Sequence, residues 1–198
     1  MMALDIAFFT QLVAESVKTP RAAAARLLAL SLPVQVLLQA ALAVAAGSAV
    51  LSWIANAMFP VPVDTPWAAL TSSPLRMALA QLAGMLLVAG AMSGLGQVFG
   101  GRGRFVQALA LAVWIEAVLL LVQLAQVVLL LLFPLFASAM GVAAFVLFLW
   151  MLTQFTAALH GFERGFLVFL GIIAALFVAA LAIAVLLGLF GIVPQTGA

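Results

Sequence analysis

Between Arg26 and Asp64 the chain carries no charged residue. Three more such gaps follow: Arg76 to Arg102, Glu116 to Glu163, and Arg164 to the end. A helix of roughly 20 apolar residues crosses the hydrocarbon core of a bilayer. Repeated gaps of this length predict a polytopic membrane protein built of spanning helices. Charged residues make up only 6% of the chain, whereas a water-soluble domain carries about 25%. With 69% hydrophobic residues, the surface must be solvated by lipid.

The same economy of charge excludes several functions. The net charge of +2 is small and dispersed, and nucleic-acid binding needs clustered cations. The chain has no cysteine, so disulfides, thiolate catalysis and thiolate metal sites are ruled out. One histidine, His160, leaves no room for a multi-histidine metal site. No cofactor is expected. No tyrosine is present, so Trp and Phe must supply the interfacial belts. Residues 1–26 hold Asp5, Glu15, Lys18, Arg21 and Arg26, which does not match a cleavable signal peptide.

Residues 4–18 are amphipathic. Leu4, Phe8 and Leu12 recur along one stripe, which Ile6, Phe9, Val13 and Val17 widen. Asp5, Gln11, Glu15 and Lys18 lie off it, and Pro20 ends the segment. This helix either lies in the membrane interface with its apolar face in the acyl boundary or packs on the bundle. Five spans are expected after it, at about 28–54, 77–99, 106–132, 141–159 and 167–190. Pro33 would fall in the first turn of the first span. Residues 55–76, with four prolines, form the longest polar break, read as an external loop. Pro134 and Gly141 flank a short turn between the third and fourth spans. The chain thus divides into a cytosolic segment, 1–26, and a five-helix domain, 27–198.

Five spans give a consistent charge pattern. With the N-terminus in the cytoplasm, that side receives Lys18, Arg21, Arg26, Arg102, Arg104 and Arg164, and the other side only Arg76. This is the positive-inside bias. The C-terminus is then external.

Glu116 is the one ionisable residue deep within an expected span. Eleven residues of helix place it about 17 Å from the span's start, near mid-membrane. An intramembrane carboxylate suggests a proton relay or cation site. Gln123 and Gln126 lie further along the same helix, and Gln35, Gln39, Gln81 and Gln154 could complete a polar path. The plainer alternative is a polar group that glues helices together. In the second span, Gly90 and Gly94, and Gly96 and Gly100, form two small-xxx-small pairs that permit close helix packing, in the first instance within one chain. The basic turn at residues 100–104 lacks the spacing, lysine and hydroxyl of a P-loop. His160, Glu163 and Arg164 read as a solvated turn. No catalytic set can be assembled.

Pro20-Arg21 ahead of the first span, and Phe99-Gly100-Gly101-Arg102-Gly103-Arg104-Phe105 between the second and third, carry a resemblance. With five spans behind an amphipathic segment, the chain resembles bacterial-type members of the Yip (Ypt-interacting protein, Yip-one domain) family. Eukaryotic relatives are Golgi and endoplasmic-reticulum proteins that bind Rab-type GTPases and affect vesicle traffic. Their cytosolic N-terminal domain is longer than residues 1–26, which puts GTPase binding in doubt for this chain. The compact, Ala/Leu-rich character of the chain looks bacterial, and the expected location is the bacterial inner membrane.

The expected function is therefore that of a non-enzymatic membrane protein organising lipids or partner membrane proteins, self-association included. Its expected working surface comprises Phe8, Phe9, Leu12, Lys18, Arg21, Arg26, Arg102 and Arg104. Lys and Arg near an anionic surface are each attracted by about 1 kcal/mol. The competing reading is a small transporter or channel that uses Glu116. A lipid-modifying enzyme is a weaker third.

Overall fold

A computed structural model describes residues 6–60, 71 and 73–189. Leu4, Asp5, half of the expected external loop (61–70 and 72) and the tail from residue 190 lie outside the described residues. Among the described residues the chain is all helix. In order, the helices are α1 (Ile6–Lys18), α2 (Pro20–Ala29), α3 (Val34–Met58), α4 (Pro74–Val98), α5 (Phe105–Leu132), α6 (Pro134–His160) and α7 (Gly165–Leu189).

Prolines set several of these starts, because a first-turn residue needs no N–H partner. Pro20, Pro74 and Pro134 all sit in first turns. Pro33 does not. It is the extended residue before α3, with ψ 150°, and its carbonyl accepts from the N–H groups of Val36 and Leu37. The first span therefore begins at residue 34 and not at 28. Residues 20–29 form a separate helix, and Ser31, at φ 47°, turns the chain between the two.

The break between α5 and α6 is also tighter than expected. Phe133 alone separates them. Its N–H donates to the Leu129 carbonyl, and its own carbonyl accepts from Ala137. Gly141 lies inside α6, so the fourth span starts before it. Glycine lowers helix propensity by only about 1 kcal/mol, which burial and bilayer both override.

Four helices are long and apolar enough to cross a membrane: α3, α4, α5 and, from Phe136, α6. In α7 the apolar stretch among the described side chains is shorter, Gly165–Val178. Helix α5 is the hub and packs on α3, α4 and α6. Its N-terminal half buries Leu109, Leu111, Val113, Ile115 and Val118. Phe155 of α6 is fully buried, and Met85 of α4 is 1% exposed.

Helix α1 turns the centre of its stripe toward the bundle and leaves Ile6 and Val17 exposed. Leu12 is 1% exposed and belongs to the core, and Phe8 packs against it. Leu12 is thus not part of a contact surface. Ser16 is fully buried; its hydroxyl donates to the Leu12 carbonyl and accepts from the Trp114 indole of α5 at 2.8 Å. Phe9 meets the Trp114 ring edge to face. The Trp150 indole of α6 donates to the Val17 carbonyl.

If α1 is held by the bundle, its two apolar classes should respond differently. Leu12→Ala should cost about 2–5 kcal/mol, the usual range for a buried leucine. Ile6→Ala, at a position 79% exposed, should stay within about 0.5 kcal/mol. Unfolding of the purified protein in detergent measures both. Equal losses would return α1 to a purely interfacial role.

Candidate functional site

At one end of the bundle the chain wraps two turns around His160. The first follows α4. Gly100 has φ 84°, a conformation that only glycine adopts without strain. Its N–H donates to the Gln97 carbonyl, and the Gly101 N–H donates to the Gly96 carbonyl. These are the paired bonds of a Schellman C-cap. The second turn follows α6, where Gly161 has φ 72° and the Phe162 N–H donates to the Ala157 carbonyl.

His160 fills the space between the turns. The Gly103 N–H donates to Nδ1 at 3.1 Å, so the ring proton sits on Nε2, which donates to the Met92 carbonyl at 2.8 Å. The ring is buried and stacks on Phe162. A Cβ on Gly96 or Gly101 would overlap the imidazole, and one on Gly103 would overlap Leu159. The solvated-turn reading of His160 is therefore incorrect. The glycines of the basic turn let the backbone close on this ring. A lone histidine four residues before Arg164, with glycines clustered elsewhere, gives no sequence signal of that pairing.

The expected small-xxx-small pairs resolve differently. Gly96 faces His160 and Gly100 makes the turn. A Cβ on Gly90 or Gly94 would meet nothing within 4 Å. Packing within the chain at that pair, the expectation from the sequence, is not what the described residues show.

The same end gathers the cations. The Arg21 Nε donates to Gln154 Oε1 of α6 at 2.7 Å, and its guanidinium also donates to the Glu163 carbonyl. This ties the start of α2 to the segment entering α7. Arg26 pairs with Glu15 and lies over the Phe8 ring. Arg21 and Arg26 thus serve the fold's internal contacts. Lys18, Arg102, Arg104 and Arg164 have exposed side chains. Among the described residues the ion pair of Arg26 is the one found outside the contacts of Arg76.

Within the spans, Gln81 of α4 donates to the Glu116 carboxylate at 2.6 Å. Gln123 belongs to a different cluster: it accepts from the Ser48 hydroxyl and donates to the Ser48 carbonyl and Ser52 hydroxyl of α3. Gln126 donates to the Ala137 carbonyl of α6. Gln35 and Gln39 are exposed, and Gln154 is held by Arg21. The amides therefore form separate bridges between helices. Among the described residues no hydrogen bond links these bridges to one another. A cleft of about 260 Å³, lined by Ser48, Ser52, Thr71, Met77 and Gln81, lies between α3 and α4.

A family profile described as the Yip1 domain matches residues 8–191. No curated protein and no solved structure gives a significant match. The match covers both glycine turns, the cation-bearing end and all the spans.

Two substitutions separate the glycines. Gly96→Ala forces a methyl into a ring held at both nitrogens and should cost about 1–3 kcal/mol, as overpacked cores do. Gly90→Ala meets open space and should be neutral or gain up to about 1 kcal/mol from helix propensity. Melting temperatures in one detergent read the contrast. For Glu116, the Gln variant keeps an acceptor for Gln81 and should melt near wild type. Glu116→Leu strands the Gln81 amide and should lose about 1–2 kcal/mol, the upper range for such bonds between spans.

Proposed function

The chain belongs to the Yip1-domain family, and on that premise we propose that it is a non-enzymatic integral membrane protein. Its role is to organise lipids or partner membrane proteins, as a scaffold or accessory subunit, through its basic end. One observation carries this reading. Arg21 bridges to Glu163, and Gly103 bonds His160, so the N-terminal segment, the α4–α5 turn and the α6–α7 turn meet at one end of the bundle. Those three segments hold six of the seven cations.

That arrangement supports an N-terminus on the cytoplasmic side and five spans. Helix α7 has 25 residues, about 38 Å at the helical rise, which exceeds a hydrocarbon core of about 30 Å. The bacterial inner membrane fits a compact chain of this kind, and its anionic inner leaflet suits the charge bias. The bonds of His160 to Gly103 and Met92 tie the basic turn to the bundle, so the backbone that carries Arg102 and Arg104 is held at this end. With Arg21 and Arg26 engaged in the fold, Lys18, Arg102, Arg104 and Arg164 remain for recognition.

A second reading rests on the cleft beside Gln81, which is bonded to Glu116. A proton or cation pathway through this pair would require Glu116→Gln to abolish flux in proteoliposomes while leaving the fold intact. Robust wild-type flux of that kind would displace the scaffold reading.

Reporter fusions after residues 65 and 195 should read external, and fusions near 103 and 162 cytoplasmic. A cytoplasmic C-terminus would contradict the topology. For the recognition face, the combined variant Lys18→Gln, Arg102→Gln, Arg164→Gln should insert normally and retain less anionic lipid or partner protein on purification in mild detergent. Unchanged retention would overturn recognition by this face.

A further inference from the structure

The basic end also contains a cavity of about 350 Å³ where the α2–α3 turn approaches the start of α5. Its walls are mainly apolar: Leu27, Leu28, Leu32, Phe105, Val106 and Ala110. Arg104 stands at its polar edge with Gln107 and Ser31, and no carboxylate lines it. The Arg104 backbone N–H donates to the Gln107 side chain, but its guanidinium is exposed and joins no ion pair among the described residues. The acid of the neighbouring α1, Glu15, is already taken by Arg26.

We propose that this cavity holds one anionic phospholipid, its phosphate on Arg104 and an acyl segment against the leucines of α2 and the first turns of α5. The assignment rests on the proposed function and names the ligand class of that same face. Three features favour a lipid over other occupants. The wall is apolar and the edge cationic, which matches an amphiphile with a negative head. The cavity opens where α3 and α5 begin, the level at which a spanning helix leaves the hydrocarbon. Its volume suits a chain segment; a docking helix is about 10–12 Å across with its side chains and would not enter. A soluble anion would leave the leucine wall uncovered. Arg104 offers no side-chain acceptor to the first-turn N–H groups of α5, so the helix end adds to the positive potential there.

The test is native mass spectrometry of the full chain released from membranes containing phosphatidylglycerol and phosphatidylcholine. Wild type should retain one phosphatidylglycerol at activation energies that strip phosphatidylcholine. Arg104→Gln should lower that retention about fivefold, equivalent to about 1 kcal/mol for one interfacial cation. Ala110→Trp, which fills the cavity, should abolish it. Arg164→Gln, at the same end but outside the cavity, should lower it clearly less than Arg104→Gln, because Arg164 attracts lipid to the face without touching this one. If Ala110→Trp fails to fold, Arg104→Gln against Arg164→Gln still decides. Equal losses from both arginine variants would overturn the cavity as the site while keeping a lipid-attracting face. Displacement by inorganic phosphate, or retention of phosphatidylcholine alone, would overturn the lipid assignment. Absence of any selective lipid in the wild type would overturn the inference, and the broader reading would then rest on protein partners.

Discussion

The imidazole of His160 is the piece on which the basic end depends. It is bonded at both nitrogens, to the Gly103 N–H and the Met92 carbonyl, and so joins α6 to both α4 and the turn that follows it. Buried polar groups are costly unless satisfied, and here both ring positions are. The turn must come close enough to make these bonds, which is why side chains are missing at residues 96, 101 and 103. Each helix ends on a glycine in the left-handed region, Gly100 in the Schellman cap of α4 and Gly161 in the turn after α6. Once closed, this junction fixes where Arg102 and Arg104 stand.

The bundle beneath it is held by different means. Lipid tails are as apolar as the side chains, so packing and hydrogen bonds between helices must replace much of the hydrophobic drive. The polar residues in the spans are used that way. Gln81 meets Glu116 between α4 and α5, Gln123 meets Ser48 and Ser52 between α5 and α3, and Gln126 meets the Ala137 carbonyl between α5 and α6. All three bridges involve α5. The hub helix is thus pinned to each of its neighbours by one amide or carboxyl, with alanines and leucines packed around it.

Much of this was legible in the sequence, and the failures have physical causes. Charge gaps located the helices because burying charge in lipid is prohibitive, and the turns at Gly100–Gly101 and Gly161 announced themselves through glycine. Proline was less readable. Pro33 and Pro134 can either end a helix or begin one, and only the surrounding backbone decides; Pro33 precedes α3 and Pro134 starts α6. The amphipathic stripe of α1 could face lipid or protein, since both are apolar, and the Trp114–Ser16 bond was invisible in sequence. So was the place of His160. Its partners lie 57 and 68 residues away, and nothing local marks a histidine as buried.

The central claim is that His160 holds the basic turn in place. Amide hydrogen exchange over residues 96–105, in wild type and in His160→Leu, tests it directly. The wild-type Gly103 amide should be protected by its bond to the ring. In the variant, protection at Gly103 and Gly101 should fall sharply while that of the α3 and α5 interiors persists. Protection that is unchanged across the turn would contradict the claim.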